Sequence, residues 1–145
     1  MITLAVYWMG RDSTHAAELT EEINRNAQVT VAKCNELLTR AGRSDLNSVR
    51  SGWRPQGVND ATRNAATSSR HLTAEAVDLP DDDRSLAEWC VDNLGVLDEV
   101  GLWMEDPRWT PTWVHLQIVP PKSGRRVYVP STAPALDPDF KVTWA

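Results

Sequence analysis

Phenylalanine occurs once, cysteine twice and histidine three times in 145 residues, and each scarcity narrows the reading. Cys34 and Cys90 are far apart, and nothing in their spacing suits a metal site. Each falls in an apolar helical pattern, where a reduced core thiol is expected. Long apolar runs are absent as well. The longest are a few residues, far short of the roughly 20 that a membrane-spanning helix needs. No Lys/Arg cluster exceeds Arg125-Arg126, and the formal net charge is −5, which argues against nucleic acid as a partner. The segment Met1–Trp8 has neither a basic n-region nor a small-residue cleavage site, unlike a signal peptide. Repeats and low-complexity segments are also missing. Ordinary charged and apolar fractions over this length predict one globular domain spanning 1–145.

The segments that are present predict an α+β domain, a small antiparallel sheet packed against helices. Leu19, Ile23, Ala27, Val31, Cys34, Leu38 and Ala41 recur at three- and four-residue steps, one face of a long helix over 17–41, and Gly42 suits its C-terminal cap. An extended stretch around Ser48–Trp53 is broken by Pro55, and the polar residues 56–70 read as a loop. A strand is expected at 74–79. Ser85 and Glu88 form a capping box for a helix through about Asn93, with Leu86, Trp89 and Cys90 as its buried stripe. Further strands are expected at 100–104, 113–119 and 126–129. The end containing Pro130, Pro134 and Pro138 should wrap the surface irregularly.

Two histidines sit in informative contexts. His71 opens the run His-Leu-Thr-Ala-Glu-Ala-Val-Asp that ends at Asp78, and His115 lies within Trp-Val-His-Leu-Gln. Two imidazoles and one carboxylate, with a fourth position open, make the donor set of a catalytic zinc site. Strand alternation puts His115 on one face with Trp113 and Gln117, opposite Val114, Leu116 and Ile118. It also puts Asp78 on one face with the small Ala74 and Ala76, leaving space beside the carboxylate.

Taken in order, Ser51-Gly52-Trp53-Arg54-Pro55, Asn59, Ser69-x-His71, Asp78 and Trp113-Val114-His115 closely resemble the M15 family of peptidoglycan peptidases. The likeness covers about residues 49–129. It implies a hedgehog/DD-peptidase-like fold, with His71, Asp78 and His115 as zinc ligands. It assigns Arg54 to the substrate carbonyl and developing oxyanion, and Ser69 to the substrate-binding rim. The family includes D-Ala-D-Ala carboxypeptidases and dipeptidases, and phage endolysins that cut L-Ala-D-Glu bonds.

Two positions depart from the family pattern. Ala74 stands where a glycine is usual, a change that a strand would tolerate. Thr112 stands where many members carry a general-base glutamate, and a threonine hydroxyl cannot accept a proton at neutral pH. A glutamate restored at 112 is expected to retain or raise activity. Glu105 is the substitute candidate, sharing a strand face with Trp103 and returned to the metal by the loop to Trp113. Asp106 is expected to cap the turn, Glu75 to face the other way, and His15 to be a surface residue. Trp53, Trp103 and Trp113 are expected in the core, or one or two of them walling a cleft.

The leading expectation is a zinc metallopeptidase acting on peptidoglycan stem peptides. Its setting would be phage lysis, as an endolysin held in the host cytoplasm before release or as a virion-associated part. The alternatives are a zinc-retaining, catalytically weak or inactive binding module, and a virion protein without metal.

Overall fold

The structure, a computed structural model, describes residues 1–62, 65 and 68–130. The elements run α1 (Leu4–Trp8), α2 (Arg11–Thr14), α3 (Glu21–Arg40), α4 (Gln56–Ala61), β1 (Ala76–Pro80), α5 (Ser85–Asp92), α6 (Leu94–Val100), β2 (Trp103–Glu105), β3 (Trp113–Gln117) and β4 (Val127–Tyr128). This is an α+β arrangement around a four-stranded sheet of order β1-β3-β2-β4. The sheet is mixed rather than purely antiparallel, because β4 runs parallel to β2. The reason is topological. Both edges of β3 are taken by β1 and β2, so the returning chain pairs with the free edge of β2. Having reversed direction after β3, it then runs the same way as β2.

Helix α3 occupies most of the expected span. Thr20 caps it by accepting from Ile23 N–H, and Glu21 and Glu22 complement the dipole in the first turn. Gly42, at φ +69°, closes the other end, with Gly42 N–H bonding Thr39 C=O and Arg43 N–H bonding Leu38 C=O. Its buried face carries Ala27, Val31, Cys34, Leu37 and Leu38. These join Leu79, Leu97, Leu102, Met104 and Leu116 from the sheet side in one hydrophobic cluster. Each fully buried Leu contributes roughly 1.5–3 kcal/mol. Cys34 and Cys90 are free and buried, as expected. No helix among the described residues is long and apolar enough to cross a membrane.

Several expectations need correction. Residues 56–61 form α4, although their polar composition shows no apolar period. Helix α6 takes 94–100, so the strand expected from 100 begins at Trp103, after Gly101 ends the helix at φ +82°. The Ser85/Glu88 capping box does not form. Arg84 turns left-handed (φ 65°), which brings the Asp81 carboxylate onto Leu86 and Ala87 N–H, both at 2.9 Å. A carboxylate accepts more strongly than a hydroxyl at a helix N-terminus, and Ser85 bonds Asp83 instead. Trp89 is only half-buried, and Ala87 takes its place in the stripe of α5. Pro134 and Pro138 lie outside the described residues.

Ala74 is not on a strand. β1 begins at Ala76, and Ala74 sits just before it at φ +59°, fully buried, its carbonyl accepting from Thr30 Oγ1 at 2.8 Å. A left-handed residue is where glycine is favoured, so the alanine carries strain on the order of 1 kcal/mol.

Candidate metal centre

The centre is assembled by three chain segments that meet on one face of the sheet. β1 and β3 pair antiparallel with Asp78 directly opposite His115. On the other side of β1, Ser51 forms a bridge with Asp78, and Arg50 N–H donates to Asp78 C=O at 2.8 Å. Trp103 and Met104 of β2 pair with Gln117 and Leu116, and one residue further along that register brings Glu105 level with His115. Glu105 in turn pairs with Tyr128 of β4. One row across the sheet therefore reads Ser51, Asp78, His115, Glu105, Tyr128.

His71 reaches this row from the loop before β1, which the Gly52-Trp53-Arg54 segment clasps. Arg54 N–H donates to His71 C=O at 2.9 Å, and Trp53 Nε1–H donates to Leu72 C=O at 3.1 Å. His71 Nδ1 lies 2.8 Å from Gly52 C=O, and a carbonyl can only accept, so Nδ1 carries the proton. That leaves Nε2 bare. The atom is buried without a hydrogen-bond partner, 3.3 Å from Asp78 Oδ1. An orphaned nitrogen facing a carboxylate is what a metal ligand looks like before the metal is added.

His115 is held in the complementary way. Gln117 donates its amide N–H to Val119 C=O at 2.8 Å, which points Gln117 Oε1 at His115 Nε2 (3.1 Å) and at the Tyr128 hydroxyl (2.7 Å). Nε2 is thereby a donor, and Nδ1 faces Asp78 Oδ1 at 2.8 Å. The ligand atoms of His71, Asp78 and His115 all lie within 4.8 Å of one another. Two imidazole nitrogens, each oriented by a fixed partner on the other ring nitrogen, and one carboxylate fit a divalent metal ion.

The charges follow from this geometry. Burial alone would raise the Asp78 carboxyl, but His71 and His115 beside it hold it well below the usual carboxylate range. Burial pushes His71 below its ordinary value. Burial also opposes a charged His115, yet the hydrogen bond and charge of Asp78 carry it up to about 9.

The centre opens into a cleft of about 750 Å³ that is lined by Asp78, His115, Glu105, Arg54, Ser69 and Gln117, with Trp109 and Trp113 on its wall. Arg54 is a buried residue, only 8% exposed, rather than a surface arginine. Its Nη2 reaches Ser69 Oγ at 3.4 Å, and Ser69 Oγ also accepts from His71 N–H at 3.2 Å. Glu105 comes to the cleft through the pairing of β2 with β3, not through the loop to Trp113. Its carboxyl is pushed up by burial, with the charge of His115 acting in the opposite sense. Thr112 is absent from the cleft lining, and its hydroxyl accepts from Arg50. Asp106 caps the turn at Pro107–Trp109, as expected.

Of the three motif tryptophans, Trp53 is core, Trp113 walls the cleft, and Trp103 lies under the Arg126 guanidinium away from it. Ala76 and Ala74 are fully buried and leave no open space beside Asp78 on their side. His15 bonds Thr14 outside the cleft. Sequence reasoning passed over Gln117, Tyr128 and Arg11 as site residues. Gln117 alone carried a signal, its shared strand face with His115. Comparisons with protein-family models, with curated proteins and with solved structures find no match for this chain.

Proposed function

We propose that this protein is a zinc peptidase of the hedgehog/DD-peptidase type that hydrolyses an amide bond in peptidoglycan stem peptides, in the setting of phage lysis. The observation that carries this reading is the bare, buried His71 Nε2 beside Asp78 and His115, which line a cleft that also contains an arginine and a second carboxylate. His71 Nε2, an Asp78 oxygen and His115 Nδ1 would hold the zinc, which supplies Lewis acidity and lowers the pKa of a water toward 7 when bound.

The chain's own residues carry the remaining work. Glu105 makes no side-chain hydrogen bond among the described residues, so its oxygens are available to take a proton from the attacking water and return it to the departing amine. A carboxyl raised by burial suits that exchange better than an ordinary one. Arg54 presents a fixed fork of donors to the oxygen that gains charge, and Ser69 fixes the orientation of that fork. Trp109 and Trp113 supply flat apolar wall for a peptide or sugar.

A second reading, a zinc-retaining module that binds peptidoglycan without cutting it, draws support from Thr112, which bonds Arg50 and leaves the family's usual base position without a carboxylate. Mass spectrometry of purified peptidoglycan after incubation with the zinc-loaded protein separates the two. New fragments carrying one added water at an amide bond are expected. Intact peptidoglycan that co-sediments with the protein would favour the binding module.

A further inference from the structure

We propose that Arg11 is a substrate-binding residue which, with Arg54, forms a subsite for a carboxylate carried by the substrate beside its scissile amide. The inference rests on the peptidase reading above and names what the cleft selects. Arg11 is the first residue of α2, outside the motif-bearing stretch, yet it lines the same cleft as Asp78 and His115. Its Nη1 donates to the carbonyl of Trp53 at 2.8 Å, the residue immediately before Arg54, so the two guanidiniums share one wall.

Arg11 makes no salt bridge among the described residues, and its one hydrogen bond leaves four of five N–H donors uncommitted. Arg54 makes no salt bridge either, and its Nε is buried without a hydrogen-bond partner. Burial depresses both guanidiniums below their ordinary value; for Arg54 the charge of Asp78 acts in the opposite sense, and the proximity of Arg11 adds to the burial. Like charges held near one another in a half-buried site favour an anion between them.

The rest of the cleft has the same sign. Among the described residues Arg50, Arg70 and Lys122 also line it, Arg70 paired with Glu75 at 3.8 Å, against the carboxylates of Asp78 and Glu105, in a chain whose net charge is −5. Cations gathered in a cleft of an otherwise acidic protein focus an attractive field on an anion. Two forked donors side by side match the planar geometry of a carboxylate. In a stem peptide the fitting group is the free α-carboxylate of its γ-linked glutamate, which becomes neutral when amidated.

Calorimetric titration of the zinc-loaded protein with L-alanyl-γ-D-glutamyl-L-lysine, and with the same peptide amidated at that carboxylate, tests this. The acid peptide is expected to bind about 10- to 100-fold tighter than the amide. Arg11→Gln should remove most of that difference while leaving zinc content and melting temperature unchanged, and Arg11→Lys, which keeps the charge, should retain part of it. Equal binding of the two peptides, or full discrimination by Arg11→Gln, overturns the subsite and leaves the peptidase reading in place. Failure of both peptides to bind overturns the stem-peptide reading instead. In that case titration with glutarate decides the subsite: weaker binding to Arg11→Gln than to the wild type upholds it, and equal or absent binding overturns it.

Discussion

Across the β1–β3 ladder, His115 Nδ1 and Asp78 Oδ1 stand 2.8 Å apart, while His115 Nε2–H is committed to Gln117. In the metal-free protein the space between Nδ1 and the carboxylate is bridged by a proton, and a metal ion must displace it. His115, raised to about 9, contributes stability that is complete below the ordinary imidazole value near 6.5 and is lost as pH rises through about 9. His71 has the opposite sign. Its folded value is lowered, so below about 6.5 the unfolded chain takes up a proton that the folded chain refuses, and stability falls. Urea unfolding of chelator-treated protein should therefore show its greatest stability near pH 6.5, lower near 5 and near 9. Apparent zinc affinity should rise about tenfold per pH unit up to about 9, with release of one proton. Flat profiles in both measurements would contradict this assignment of protons.

Gly52 is required for lack of space rather than for backbone freedom. A Cβ there would lie 1.9 Å from the carbonyl oxygen of Tyr7, and Gly52 C=O is the group that holds His71 Nδ1. Gly52→Ala must shift that backbone and with it the imidazole. Destabilisation of roughly 1–3 kcal/mol is expected, with weakened zinc retention. Thermal melting and elemental analysis of the variant check both parts.

Gln117 sets which nitrogen of His115 is free. Gln117→Leu removes the acceptor for Nε2–H and should weaken zinc affinity by about 10- to 100-fold, measured by competition with a chromogenic chelator. Gln117→Glu keeps an acceptor in place and should retain most of the affinity. If the Leu variant binds zinc like the wild type, Gln117 does not orient the ligand.

Glu105→Gln keeps the size of the side chain and removes its ability to take a proton. Turnover should fall by about 10²–10⁴, with zinc content unchanged and melting temperature equal or slightly higher, since a half-buried carboxylate is replaced by a neutral amide. Thr112→Glu should not raise activity, because the new carboxylate would meet the Arg50 guanidinium before the cleft. Wild-type hydrolysis by Glu105→Gln would remove Glu105 from the mechanism.

The three candidate metal ligands were legible because each sits in a local pattern, a strand face for Asp78 and His115 and a short motif for His71. Helix α3 was legible for the same reason, with a periodic face and a glycine stop. What stayed hidden depends on contacts distant in sequence. The parallel pairing of β4 follows from which sheet edge is left open. The route of Glu105 into the cleft depends on the register of β2 against β3. Arg11 enters only because Trp53 C=O, 42 residues away in sequence, holds its guanidinium. The true cap of α5 was masked by a plausible Ser/Glu pair, since Asp81 displaces it only through the left-handed turn at Arg84.

Asp78 and His115 occupy the central rung of the five that join β1 to β3, with two rungs on either side. Fraying from either end of the ladder leaves them facing each other, so these two ligands separate only when the strands themselves part. Separation of Asp78 from His115 is therefore timed by the opening of the sheet's central pair, whereas His71, on the loop before β1, can part from them by loop motion alone. Deuterium exchange at the β1 and β3 amides should then be slower than at the amides of the loop that carries His71, so a bound ion would keep two ligands on the ladder while the third comes and goes.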